Sequence, residues 1–217
     1  MIQPLKEPNM LRLHHAPLAC SLASRLALVE SGLPHEIAFV DTARGEQKSA
    51  AYLRLNPRGQ VPALETDDGV LTESTAILPY IADLAPEKRL FPEPGTFARA
   101  KAQSWLSFLS STLHVSLARA MFAPPGCDNP EANQAALQRV AAAFQDIDRR
   151  LEGRDHLLDA FSVCDLYLLV FGLWRAAPAL AGKIPPLPNL DRVLQNLLAR
   201  PGLGAILAEE MQLRAKV

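Results

Sequence analysis

Two stretches of this chain obey different periods. Between residues 10 and 83 the pattern changes about every ten residues. "MLRLHH" alternates Leu11 and Leu13 against Arg12. "SLASRLALVESG" sets Leu22, Leu26 and Val29 three and four apart, the spacing of a helix face, and ends on Gly32. "HEIAFVD" reads as a strand and residues 46–54 as a helix. "QVPALETDDGVLTE" reads as two short strands around Asp67-Asp68-Gly69, a hairpin signal, and "STAILPYIADLA" returns to helix. The order is β-α-β-α-β-β-α. The β-α-β half predicts a parallel strand pair, with the hairpin extending the sheet.

Residues 85–95, "APEKRLFPEPG", punctuate the chain and read as a linker. Past them the period is helical. Leu137, Val140, Phe144, Ile147 and Leu151 form one apolar stripe, and Phe97, Trp105, Phe108 and Leu109 are assigned to another. The expected organisation is a small α+β domain over residues 10–84 and an all-α bundle of about five helices over residues 96–217. A chain of 217 residues is long enough for both cores.

Charge narrows the functions. With 22 basic against 23 acidic residues and no Lys/Arg run, nothing points to nucleic acid. The longest apolar run, residues 166–174, is far short of the ~20 residues that span a membrane. The N-terminal "MIQPLKEPNM" lacks the apolar stretch of a signal peptide. Three widely spaced cysteines, Cys20, Cys127 and Cys164, suit neither a disulfide framework nor zinc-ligand spacing. A cytoplasmic protein with reduced thiols and no metal is expected.

Four places carry candidate chemistry. Cys20 opens the first helix, where free N–H groups and the macrodipole favour a thiolate, and Ala23 stands where a redox pair would have its second cysteine. The position fits a reactive thiol or a packing cysteine. In "NPRGQVPAL", a cis bond before Pro62 would leave the Val61 backbone free for an extended ligand, whereas a trans bond would make this a plain strand entry. In "LTESTAIL", Glu73 and Ser74 open a helix and serve either as routine caps or as partners for an ammonium and an anion. His114, in the first long helix of the second domain, is catalytic or only locally bonded. "FSVCDLYL" is a capping box, Ser162 with Asp165, and reads as structural. His14 and His15 face opposite ways in a strand and do not share a metal.

Taken in this order, "APLACSLASRLALVESG", "NPRGQVPALETDDGVLTEST" and "FSVCDLYL" resemble the cytosolic glutathione transferases, most of all the bacterial beta class, over about residues 10–212. The resemblance implies a thioredoxin-like domain, an all-helical domain, glutathione as co-substrate and a homodimer. It implies Cys20 at the sulfur of glutathione, in contact or as a mixed disulfide, with Ser21 beside it. Val61 and Pro62 would meet the cysteinyl unit, Glu73 and Ser74 the γ-glutamyl end, and His114 would border an apolar cleft for the electrophile. Arg44 is the nearest basic residue for the glycyl carboxylate. The chain departs from the family at His15, where an aromatic residue is usual, and at Ser107 and Val115. Three activities are expected in turn: conjugation of a hydrophobic electrophile; reduction of a disulfide or peroxide through Cys20; or binding without catalysis.

Overall fold

The computed structural model describes residues 10–122 and 129–215. Their contacts divide into two compact units: the described residues through Pro94 together with those from Arg200 onward, and Gly95–Ala199. The final helix therefore packs with the first unit, although its sequence is as helical as the segment before it.

In the first unit, β1 (Leu11–His15) buries Leu11, Leu13 and His15 and turns Arg12 and His14 to the other face. It pairs in parallel with β2 (His35–Phe39) on one side. On the other it pairs antiparallel with β3 (Ala63–Thr66), which forms a hairpin with β4 (Gly69–Thr72). The sheet order is β2-β1-β3-β4. Asp67 and Asp68 form the two-residue hairpin loop, with the Thr66 hydroxyl donating to the Gly69 carbonyl at 2.9 Å. The helices are α1 (Leu22–Ser31), α2 (Ala50–Leu55) and α3 (Ser74–Leu84). This is the expected thioredoxin-like order. Gly32 stops α1 at φ 70°, which a residue without Cβ adopts freely. Leu26, Leu64, Ile77, Leu78 and Ile81 fill the core as α1 packs against α3 and β1.

Helix α1 is buried from Leu22 through Leu28, and that run includes Arg25. A buried guanidinium requires opposite charge nearby. The last helix of the unit supplies it. The Arg25 guanidinium donates to both Glu209 and Glu210, and Arg200 pairs with Glu30 at 2.8 Å. Glu210 is fully buried, so its carboxylate completes the core rather than decorating a surface.

The second unit begins with α4 (Phe97–Phe108), a wider π-helical turn over Leu109–His114, and α5 (Val115–Met121). Its buried face is Ala102, Leu106, Leu109, Leu113 and Leu117. The aromatic stripe expected there is corrected: Phe97 is 77% exposed, and Trp105 and Phe108 are half-buried. At about 3.6 residues per turn, Phe97 and Phe108 lie opposite Leu106, and the small Ala102 marks the true seam. The α6 stripe does face inward, with Val140, Phe144 and Ile147 buried in α6 (Pro130–Arg150), followed by buried Leu151. Helix α7 (Val163–Trp174) is buried from Val163 through Gly172 and opens on the capping box of Ser162 and Asp165. Helix α8 (Pro188–Leu198) packs on α7, and α9 (Leu203–Arg214) is the helix that joins the first unit.

Two predictions follow from these packings. A Cβ on Gly172 would stand 2.5 Å from Leu194 Cδ1, so Gly172→Ala overpacks the α7–α8 contact. Urea unfolding should show a loss of about 1–3 kcal/mol. The second concerns acid. Burial works to raise the Glu210 carboxyl, but hydrogen bonds from His15, the Leu18 N–H and Arg25 together hold it below its ordinary value. A depressed carboxyl stabilises the fold above its unfolded-state pKa, and that stability is lost as pH falls through the folded value. Glu210→Gln should therefore be less stable at pH 7, and its stability should fall less steeply than the parent's below about pH 5, read by thermal melts across pH.

Candidate functional site

The loop from Ala16 to Ser21 joins β1 to α1 and carries Cys20. It turns tightly, with Ala19 N–H donating to Ala16 O, Leu22 N–H to Ala19 O and Ala23 N–H to Cys20 O. Leu18 holds φ 57°, a left-handed conformation that non-glycine residues rarely adopt. Its N–H donates to Glu210 Oε2 at 2.7 Å, a bond that fixes the backbone there. Ser21 is fully buried, with its Oγ 2.8 Å from His15 Nδ1. His15 Nε2 in turn lies 2.7 Å from Glu210 Oε1.

Cys20 is half-buried, and its thiol donates to the Val61 carbonyl at 3.5 Å. The expectation of a favoured thiolate is corrected. Burial pushes the thiol up to about 11. The N–H groups of Ser21 and Cys20 face the sulfur and pull the other way, and the nearby charge of Glu73 adds to the rise. Desolvation outweighs the two N–H dipoles, so the free chain holds Cys20 as S–H. Cys164 is buried in α7 and its thiol is raised further still, as befits an inert packing residue. Cys127 lies outside the described residues.

Val61 precedes Pro62 through a cis peptide bond and stands just ahead of the β3 ladder. Two side chains pin its loop: Tyr52 Oη and Asn56 Nδ2 both donate to the Gln60 carbonyl, at 2.8 and 2.7 Å. Asn56 is itself buried. Glu73 occupies the N-cap of α3 at φ 73°, again left-handed, and its carbonyl accepts from Ala76 and Ile77. Ser74 is the first helical residue rather than the cap, and it is buried. The N–H groups at the start of a helix, ahead of its first internal bonds, are the kind that pair with an anion.

The structure thus brings Cys20 to Val61 and places Glu73 within electrostatic range of the same sulfur. Arg44 is not drawn into this group: its side chain is 82% exposed and pairs with Asp41 at 3.5 Å. In the second unit His114 ends the π-helical turn, with the rings of Phe171 and Trp174 each 5.2 Å away. Burial lowers its pKa, so the ring is neutral at pH 7. Sequence reading marked His15 only as a departure from the family and missed the supporting residues Glu210, Tyr52 and Asn56. Asn56 lies within the "NPRGQVPAL" motif and was visible there, but Glu210 carries no local signal at all. Among the described residues, no group of three or more His, Cys, Asp or Glu could hold a metal, and no helix is long and apolar enough to cross a membrane.

Comparison with known proteins agrees with this geometry. Residues 10–83 match the family model of the glutathione S-transferase N-terminal domain. Glutathione S-transferase GST-4.5 of Xanthomonas campestris is 35% identical over 92% of this chain and 98% of its own. A sphingomonad glutathione S-transferase complexed with glutathione is 41% identical with a TM-score of 0.81, covering 92% of this chain and 98% of that one. The bacterial beta class enzyme of Sphingomonas chungbukensis is 39% identical with a TM-score of 0.80, at the same coverage. The chain belongs to the glutathione S-transferase family, and to its beta-like members.

Proposed function

We propose that this protein conjugates the thiolate of glutathione to a hydrophobic electrophile, with Cys20 at the glutathione sulfur. The observation that carries the reading is the Cys20 thiol set against the Val61 carbonyl, within range of the Glu73 charge at the N-terminus of α3. The residue types match the ligand. Glutathione's ammonium pairs with Glu73, and its γ-glutamyl carboxylate takes the open N–H groups of α3 beside Ser74. The Val61 backbone, beside Pro62, pairs with the cysteinyl unit. The ligand sulfur then lies by Cys20 and Ser21, whose N–H groups already face that spot.

Proton inventory favours conjugation over disulfide reduction. A thiol with a pKa of about 11 is ionised in only about one molecule in ten thousand at pH 7, too few for a resting nucleophile. A protonated Cys20 can instead donate its S–H to the thiolate of glutathione, a charge-assisted hydrogen bond. In the second unit His114 is neutral and flanked by Phe171 and Trp174, an apolar ring cluster rather than a cation. A cytoplasmic homodimer completes the proposal.

The test is direct. Glutathione should raise the melting temperature, and the protein should conjugate 1-chloro-2,4-dinitrobenzene. Glu73→Gln should raise the KM for glutathione about tenfold or more with little change in kcat. Cys20→Ala should retain conjugation at a lowered rate. If Cys20→Ala instead abolishes glutathione-dependent disulfide reduction while the parent conjugates nothing, the reductase reading wins. No thermal response to glutathione would leave a binding protein without catalysis. Separately, iodoacetamide should modify Cys20 slowly at pH 7, and the rate should still be climbing above about pH 10.

A further inference from the structure

We infer that His15 is a positioning residue for the sulfur site, acting through Ser21 while Glu210 of α9 fixes its ring. The inference rests on the reading that the sulfur of glutathione lies at Cys20.

Glu210 is ionised and only accepts, so the nitrogen facing it, His15 Nε2 at 2.7 Å, carries a hydrogen. Nδ1 is left for the Ser21 hydroxyl, whose Oγ lies 2.8 Å away. The oxygen of Ser21 accepts the Ala16 N–H at 3.2 Å. The Ser21 hydroxyl also lies 3.5 Å from the Ala16 carbonyl, so the serine is tied both to the Ala16 backbone and to an imidazole held by a carboxylate 195 positions along the chain.

His15, Ser21 and Glu210 are each fully buried, so their side chains act on the loop rather than on solvent. What they hold is the loop. Glu210 Oε2 takes the Leu18 N–H and Glu210 Oε1, through His15, takes Ser21, so one carboxylate secures the loop on both sides of Cys20. The Ser21 N–H faces the Cys20 sulfur, and its aim depends on where the Ser21 residue is held. The groups packed around His15 are Glu210 and, on the same carboxylate, Arg25; Arg25 also meets Glu209; the Phe39 ring lies 5.9 Å from His15 and under the Arg25 guanidinium. An aromatic hydrocarbon at position 15 would fill the space but could neither accept from Ser21 nor donate to Glu210.

The experiment compares His15→Phe, His15→Gln and Ser21→Ala in the full chain. A glutamine has one donor and one acceptor and can keep both bonds. The readout is kcat/KM for 1-chloro-2,4-dinitrobenzene against pH, which reports the ionisation of bound glutathione. His15→Phe should shift that profile up by about one pH unit and lower the rate near pH 6.5 about tenfold. His15→Gln should stay within about twofold of the parent at every pH. Lost thermal stability with an unmoved profile in His15→Phe overturns the inference, as does a His15→Gln profile displaced as far as that of His15→Phe. Where His15→Phe does not fold, Ser21→Ala decides by the same criterion: a raised profile supports the inference and an unmoved one overturns it. Should the parent show no response to glutathione, the underlying reading fails by itself. The inference is then read from iodoacetamide alkylation of Cys20 near pH 9, followed by peptide mass. That rate should drop about tenfold in His15→Phe, and an unchanged rate overturns it.

Discussion

One buried carboxylate, Glu210, organises the first unit. It answers the charge of Arg25, fixes the ring of His15 and holds the strained backbone of Leu18. Each of these groups would be costly alone: a buried guanidinium without a counter-ion, a buried imidazole with an empty nitrogen, and a left-handed leucine. Together they satisfy one another. Breaking such a set by removing one partner costs about 3–5 kcal/mol, because the others stay buried. The loop that presents Cys20 is thus tied to the core on both sides of the cysteine, at Leu18 and at Ser21.

The chemistry of Cys20 is a contest between two effects that sequence position alone cannot rank. A cysteine opening a helix has N–H groups aimed at its sulfur, and here they are present. The same residue is enclosed by the Val61 loop and faces the charge of Glu73, and these win. A helix start lowers a thiol pKa only where its N–H dipoles outweigh the cost of desolvating the thiolate. This thiol donates to a carbonyl and lies within the field of a carboxylate, in a buried place that keeps its proton on.

The fold of the first unit was legible because its signals are local. Alternation in "LRLHH", the Asp67-Asp68 turn and the Gly32 stop each act within a few residues, and each appears where expected. Cys20, Val61 and Glu73 were legible as members of motifs, and the sheet and α3 do bring them together. What escaped was set by distance or by averaging. The assignment of the last helix depends on Arg25, some 185 residues earlier in the chain. The seam of α4 follows Ala102, which has too little side chain to draw notice beside Phe97.

The place of Glu210 in the chain has a consequence for the order of assembly. A ribosome delivers β1, α1 and the sheet long before it delivers α9. Until then Arg25 and His15 have no carboxylate, and the loop around Leu18 has no acceptor to hold its turn. The glutathione-transferase N-terminal unit is in this sense not an autonomous first product. The carboxylate that ties its loop arrives only with the last helix, so the residues around Cys20 are among the earliest made and wait longest for their partner.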